Sequence, residues 1–172
     1  MRLQASVSDL WETIAGEASA ESGLWAQALL PATERELEPV FSPLGELRFA
    51  LGLETIYEGY LLHYGAPRVV SAEEADLGLL AGDRLYAIGL ARLVALGDTA
   101  AVAELADTIT LSALAQGAGE QALADAVWAA GARAVGWGSS EEHRRAKHLA
   151  FSSAPEALEA MRTSAGVPAV SP

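Results

Sequence analysis

The stretch ETIYEGYLLH (residues 54–63) and, after a short break, DLGLLAGDRLYA (residues 76–87) decide the fold of this chain. Both segments are too apolar to lie on a solvated surface, and the first belongs to a helix with apolar residues on two stripes. A helix that is apolar on two sides lies at the centre of a fold. We therefore predict two central helices, over residues 44–64 and 76–96.

Acidic residues stand inside both helices, with Glu54 and Glu58 one turn apart in the first, and Asp76 and Asp83 two turns apart in the second. A charge buried in a helical bundle needs a partner or a chemical task, because its desolvation is costly. For Glu54 and Glu58 the interpretations are a wetter helix edge, ion pairs with an arginine, or a cation site. Two carboxylates alone are too few ligands for a metal. The arginines considered as partners are Arg48, Arg68 and Arg84.

The formal net charge of −12 disfavours a nucleic-acid partner, because affinity for phosphate backbones depends on Lys and Arg. The sequence contains no cysteine, which excludes a disulfide framework and a thiolate site. Its first residues lack the apolar core of a signal peptide, and charged residues interrupt its longest apolar segment. We therefore expect a cytoplasmic protein without a transmembrane segment, whose apolar surplus is buried in a helical core or against another subunit.

Helical periodicity recurs along the rest of the chain, and no stretch is typical of a strand ladder, so the predicted fold class is all-α. We expect one helical domain over residues 1–165 and a loose tail over residues 166–172. Further helices are expected over residues 7–20, 22–30, 99–115, 120–135, from 140 onward, and 155–161. The residues expected to cap helices are Ser8 or Asp9, Ser71 in a capping box with Glu74, Asp98, and Ser140. The glycines expected to let another backbone come close are Gly78, Gly82 and Gly89.

The sequence has no phosphate-binding glycine loop, no Gly-x-Ser-x-Gly turn and no His-Glu-x-x-His helix. Its histidines, His63, His143 and His148, form no i,i+4 pair on one helical face. The Glu-x-x-His pairs of a di-metal helical bundle are also missing. A catalytic metal site of these kinds is therefore not expected.

A family resemblance gives the central helices a context. Residues 54–65 (ETIYEGYLLHYG) resemble the trans-prenyltransferase helix that reads roughly ELIHTASLIHDD, and residues 80–91 (LAGDRLYAIGLA) resemble the same family's LAGDYLLA helix. Residues 93–109 look like the next helix pair of that family. The resemblance, to the trans-isoprenyl (polyprenyl) diphosphate synthases, covers residues 44–135 and implies a truncated isoprenoid-synthase-like helical bundle.

The departures from that family concern its metal site. In the family, the first aspartate-rich motif holds magnesium ions that bind the allylic diphosphate. Its three aspartates fall at Tyr64, Gly65 and Arg68 of this chain, and Arg68 reverses the charge. The second aspartate-rich motif has no counterpart in this sequence. The resemblance therefore implies that this chain carries no catalytic residue, metal or cofactor, and that magnesium belongs to a catalytic partner.

Such a chain resembles the small, non-catalytic subunit of two-component heptaprenyl and hexaprenyl diphosphate synthases of isoprenoid biosynthesis, which make quinone side chains. There, a large subunit carries the aspartate motifs, and the small subunit helps to set product length. The resemblance implies a heteromer whose interface uses the helices at residues 44–64 and 76–96. The residues that it assigns to a chain-length tunnel are Gly59, Tyr60 and Tyr57. The residues expected at a polar interface are Glu54, Glu58, Asp83 and Arg84.

Two alternatives stay open. In the first, the chain is a helical homodimeric scaffold or a lipid-binding protein, with a prenyltransferase-like fold and no synthase partner. In the second, it is an enzyme that uses Glu54 and Glu58 for metal-dependent chemistry. A basic group in this acidic chain is interpreted as a solvated helix end or as a contact for an acidic partner or diphosphate. That group consists of Arg144, Arg145 and Lys147.

Overall fold

The structure, a computed structural model, describes residues 7–21, 23–35, 39–41, 44, 47–71 and 74–166. Within these residues the chain is mostly helical, which confirms the all-α class. The helices are α1 (Val7–Glu21), α2 (Gly23–Gln27), α3 (Ala50–Tyr64), α4 (Ala75–Ala95), α5 (Thr99–Gly117), α6 (Gln121–Trp137), α7 (Glu141–Phe151) and α8 (Ala157–Ala165). The described extended backbone includes one isolated antiparallel bridge, between Leu29 and Val70. No described helix is both long enough and apolar enough to cross a bilayer.

The contacts between backbone segments divide the chain into two compact units. Unit 1 consists of residues 1–40 and 51–92, and unit 2 of residues 41–50 and 93–172. The expectation of one helical domain over residues 1–165 stays a prediction. The expected tail lies outside the described residues, except for Gly166, which ends α8 in the left-handed conformation.

Unit 1 is built around a mixed aromatic and aliphatic core. Its fully or nearly fully buried members come from α1, from the segment after α2, from α3, from the loop that follows α3, and from α4. They are Trp11, Ile14, Ala15, Ala28, Leu62, Val69, Val70, Ala81 and Leu85. Since the loop contributes two of these residues, it belongs to the core and is not a surface connection.

Glycines let α3 and α4 approach each other closely. A Cβ atom added to Gly59 on α3 would lie 2.8 Å from the carbonyl oxygen of Gly82 on α4. About two helical turns away, a Cβ on Gly89 would lie 3.0 Å from the carbonyl oxygen of Gly52 and would overlap Ile56. The close backbone approach expected at Gly82 and Gly89 is therefore confirmed, and its partner is helix α3.

Unit 2 has an alanine-rich core in which α5 packs on α6, α6 on α8, and α7 on α8. Its buried members are Leu111, Ala115, Leu123, Ala124, Ala126, Val127, Ala130, Ala146, Ala150, Ala157, Met161 and Ala165. A Cβ on Gly131 of α6 would overlap the side chain of Thr108 on α5. Small side chains therefore let these helices pack close together.

Two of the expected caps are confirmed because their signals are local. The Asp98 carboxylate accepts a hydrogen bond from the Ala101 N–H at 3.0 Å, and the Ser140 hydroxyl accepts one from the His143 N–H at 3.0 Å. The capping box at Ser71 is wrong. Helix α4 begins four residues later, at Ala75.

Other boundaries differ from the expected ones. Helix α1 begins at Val7, so Ser8 and Asp9 lie in its first turn and not before it. Helix α3 begins at Ala50, after a 3-10 turn over Leu47–Phe49, and not at residue 44 as expected. Helix α2 ends at Gln27, since the chain then turns into the bridge at Leu29. Helix α8 is shifted toward the carboxyl terminus, to Ala157–Ala165.

We expect Gly59→Ala to lower the free energy of unfolding by about 1–3 kcal/mol, because the new methyl group meets a backbone oxygen that cannot move away alone. The matched control is Gly16→Ala on α1, where an added Cβ meets nothing within 4 Å. It should raise the free energy of unfolding by about 0.5–1 kcal/mol through helix propensity. Urea unfolding followed by circular dichroism measures both, and equal effects would contradict the close helix contact.

Candidate functional site

Three charged side chains of unit 1 are buried together, and we call them the Arg68 cluster: Glu54, Glu58 and Arg68. Each is at most 3% exposed. Arg68 Nη1 lies 2.7 Å from Glu54 Oε2, and Arg68 Nε lies 3.2 Å from Glu58 Oε2. The guanidinium also lies 4.4 Å from the centroid of the Trp11 ring and 5.1 Å from that of Tyr57. The aromatic rings therefore lie close to the guanidinium group, and the two carboxylates bind its nitrogen atoms at the edges.

Glu58 also holds the loop that follows α3. Its Oε1 atom accepts hydrogen bonds from the backbone N–H groups of Arg68, Val69 and Val70, at 2.8, 2.7 and 3.2 Å. Three successive amides directed at one oxygen form an anion-binding concavity. The loop then pairs with the segment after α2 through the Leu30 N–H and the Val69 carbonyl at 2.9 Å. One buried carboxylate therefore sets the path of a segment with no regular structure of its own.

The pairing of Glu54 and Glu58 with Arg68 confirms one of the interpretations made from the sequence. It removes these two carboxylates from the expected polar interface, since fully buried atoms cannot contact a partner. The wetter helix edge is wrong for the same reason. Of the other two arginines considered, Arg48 lies 3.3 Å from Asp98 in unit 2.

The three positions that the sequence resemblance aligns with the synthase aspartates have separate environments. Tyr64 is 43% exposed at the end of α3, Gly65 is exposed in the turn that follows, and Arg68 is buried in its cluster. Among the described residues, no group of three or more His, Cys, Asp or Glu side chains is arranged to hold a metal ion.

Aromatic rings line one side of α3 and meet α4. The rings of Tyr57 and Tyr60 stack with their centroids 5.6 Å apart, and those of Tyr60 and Tyr64 lie 5.3 Å apart. His63 stacks on Tyr86 of α4 at 5.4 Å. Burial, and then the nearby Tyr64, Tyr60 and Asp83, raises the pKa of Tyr86, so its phenol stays neutral.

The residues assigned to a chain-length tunnel lie at this packed contact. Tyr60 is buried, Tyr57 is half-buried, and Gly59 faces the backbone of α4. The space that a glycine would leave open at residue 59 is filled by the Gly82 carbonyl group and the ring of Tyr86. Gly59 is therefore a helix-packing residue in this structure and opens no tunnel.

Helix α4 presents an exposed face that is mostly apolar, which we call the outer face of α4. At helical spacing it shows Leu80, Ala87 and Ala91, with Asp83 and Arg84 between them. Leu80 is 64% exposed. The carboxylate of Asp83 approaches His63 Nε2 to 3.2 Å, without the alignment of a hydrogen bond. Of the residues expected at a polar interface, Asp83 and Arg84 are thus the two that reach the surface.

A second polar cluster, which sequence reasoning missed, lies in unit 2. We call it the Glu104 network: Glu104 and Asp107 on α5, His143 and Lys147 on α7, and Ser164 on α8. Glu104 Oε1 lies 2.6 Å from His143 Nε2, and Lys147 Nζ lies 3.0 Å from Glu104 Oε2 and 2.7 Å from Asp107 Oδ2. His143 Nδ1 lies 2.6 Å from Ser164 Oγ. The available signal was the i,i+4 spacing of His143 and Lys147, which puts both on one face of α7.

The network shifts the acid–base behaviour of two of its members. Burial acts to raise the pKa of Glu104, but hydrogen bonds from His143 and Lys147 outweigh it and hold that pKa below its ordinary value. Burial likewise acts to lower the pKa of Lys147, but hydrogen bonds to Asp107 and Glu104 outweigh it, so that pKa is raised. Both side chains therefore keep their charges over a wide pH range.

The basic group at residues 144–147 divides between the surface and this network. Arg144 makes an exposed i,i+3 pair with Glu141 at 2.6 Å, as expected of a solvated helix end. Lys147 instead turns toward α5 and is committed to Glu104 and Asp107.

Two cavities in unit 2 border the network. One of about 210 Å³ is lined by Ala130, Arg133, Ala134, Trp137, Gly138, Ser140, His143 and Ser164. The other, of about 330 Å³, is lined in part by Arg48, Asp98, Glu104 and Trp137. Polar side chains of the network therefore reach recesses large enough for a small ligand.

With this geometry in hand, comparison with known proteins adds no relative: no protein-family model, curated protein or solved structure matches the chain.

We expect Arg68→Met to lower the free energy of unfolding by about 3–5 kcal/mol, because it leaves two buried carboxylates without their counter-ion. The triple variant Glu54→Gln, Glu58→Gln, Arg68→Met removes the uncompensated charges and should recover part of that loss. Urea unfolding measures both variants.

The control for this series is Arg144→Met, which breaks the exposed pair with Glu141 and should change the free energy of unfolding by less than about 0.5 kcal/mol. A triple variant no more stable than Arg68→Met alone would contradict the charge argument and leave packing as the cause.

The lowered pKa of Glu104 predicts a pH dependence of stability. In the unfolded chain this carboxyl binds a proton near its ordinary pKa of 4.5, whereas the folded protein resists protonation. The network's contribution is therefore present above that pH and is lost as the pH falls through the lower folded value. Glu104→Gln should flatten this part of the stability curve, measured by urea unfolding at a series of acidic pH values. A wild-type slope retained in the variant would contradict the assignment.

Proposed function

We propose that this chain is the non-catalytic small subunit of a heteromeric polyprenyl diphosphate synthase and helps a catalytic large subunit to set product length. The Arg68 cluster carries the proposal. By the sequence resemblance, Arg68 stands where a synthase has an aspartate of its first metal-binding motif. Here that position bears a guanidinium whose charge is already satisfied by two internal carboxylates, so it offers magnesium no ligand and a diphosphate no accessible cation.

The outer face of α4 supports a protein partner in this proposal. On its opposite side α4 packs against α3 through the glycine contact, which holds the apolar residues of the outer face in position. An apolar strip interrupted by a few charges has the composition of a protein interface, where a buried centre excludes water and polar residues fix the register. The Asp83 and Arg84 side chains are placed to provide that register.

The effect on product length is then exerted from outside the helix pair. Since the space at Gly59 is filled, no hydrocarbon chain passes between α3 and α4 at this point. In this proposal the partner subunit contacts the outer face of α4 and changes shape near its own product tunnel. The tyrosine and histidine rings packed behind α4 hold that helix in position.

We expect co-expression with a full-length synthase subunit that carries both aspartate-rich motifs to change the rate of prenyl elongation or the length of the product. Leu80→Glu should weaken the complex by about 30-fold, because a charge would replace an apolar contact worth about 2 kcal/mol. The matched control is Leu114→Glu on α5, which changes an exposed leucine in the same way outside the proposed interface.

Product analysis by chromatography and size measurement of the complex read out this experiment. Identical activity and product length with and without the chain would overturn the proposal, as would equal effects of the two glutamate variants. A stable homodimer that ignores the synthase and is broken by Leu80→Glu would favour the homodimeric scaffold, since the same face of α4 fits a second copy of this chain.

A further inference from the structure

The hydroxyl of Ser164 departs from the usual bonding of helical hydroxyls. Thr108, Thr110 and Thr163 each donate to the carbonyl group one turn earlier in their own helix. Ser164 instead reaches from α8 to α7, where its Oγ atom lies 2.6 Å from Nδ1 of His143. A hydroxyl committed to an imidazole, and not to its own helix, is the arrangement that activates a serine.

The far end of this chain of groups sets which nitrogen of His143 donates to Glu104. Lys147 can only donate, and the Glu104 carboxylate, held ionised by its neighbours, can only accept. His143 Nε2, at 2.6 Å from Glu104 Oε1, must therefore carry the shared hydrogen. When the ring is neutral, Nδ1 is an acceptor, and Ser164 then donates to it. The network thus orients an imidazole base toward one hydroxyl.

Ser164 and His143 line the cavity of about 210 Å³ in unit 2, together with Arg133 and Ser140. Ser164 is half-buried and His143 is 3% exposed, so the base is shielded while the hydroxyl remains accessible. The volume suits a short acyl group.

We infer that Ser164, His143 and Glu104 form a nucleophile, a general base and an orienting acid that accept a short acyl group from an ester bound in this cavity. The roles match those of a serine hydrolase triad, with the two ring nitrogens of the histidine exchanged. Arg133 lines the same cavity and supplies a positive charge for the oxyanion. This activity is separate from prenyl transfer, which is the reaction that the subunit proposed above leaves to its catalytic partner.

The reaction balances without an oxidant or a further cofactor. Ser164 Oγ bonds to the carbonyl carbon of the ester while its proton passes to His143 Nδ1. The bond from that carbon to the alcohol oxygen then breaks, and His143 gives the proton to the departing alcohol. Water attacks the acyl-serine with His143 again taking a proton, the carboxylic acid leaves, and the proton returns to Ser164.

Labelling with a fluorophosphonate ester, followed by peptide mass spectrometry of the intact, folded chain, tests the inference. The adduct should form at Ser164 and not at Ser140, which lines the same cavity but accepts only a backbone N–H of His143. His143→Gln should slow labelling by about 100-fold, the usual contribution of a general base. A folded wild-type protein with no adduct at Ser164, or with equal labelling of Ser140, overturns the inference.

A second measurement avoids dependence on the folding of the histidine variant. Because the chain has no cysteine, Ser164→Cys and Thr163→Cys each introduce a single thiol, on the same turn of α8. Ser164→Cys should react with iodoacetamide about tenfold faster, since contact with an imidazole favours the thiolate. Exposure alone predicts the reverse order, because residue 163 is exposed and residue 164 is half-buried. Equal rates, or faster reaction at residue 163, would show that His143 does not activate its neighbour.

Discussion

A guanidinium leaves water only if its charge and its hydrogen-bond donors are satisfied, and this requirement organises unit 1 around Arg68. Glu54 and Glu58 both hydrogen-bond to its guanidinium. Three backbone amides of the following loop donate to Glu58, and the Trp11 ring of α1 covers the guanidinium. Helices α1 and α3 and the loop after α3 therefore depend on a single set of contacts, which fails as a whole if one ion is removed.

In the same unit, glycines determine how much space is left between helices α3 and α4. Gly59 and Gly82 bring α3 and α4 into backbone contact, and the ring of Tyr86 fills the space beside Gly59. A contact this close leaves no interior route for a ligand, because any chain passing between the helices would have to separate them. The surface that we propose for recognition is therefore the outer face of α4, on the side away from this contact.

Unit 2 also contains buried polar side chains, and their partners come from three different helices. Its alanine-rich helices lie close together, so polar side chains at their edges meet across short distances. Ser140 caps α7 and thereby fixes the start of the helix on which His143 and Lys147 lie one turn apart. Glu104 meets both from α5. A lysine, a carboxylate and an imidazole follow one another in the network, and the imidazole end, with Ser164, lies beside a cavity.

The sequence by itself determined the class of fold and most helix positions, because periodicity and the capping signals at Asp98 and Ser140 act over a few residues. It also indicated the glycines of α4 as points of close approach. Only the tertiary structure decided which arginine pairs with Glu54 and Glu58, that Gly59 packs a helix, and that Glu104 meets His143. Those contacts join residues 10 to 39 positions apart, and their distances depend on how whole helices pack. Local sequence patterns carry no information about that packing.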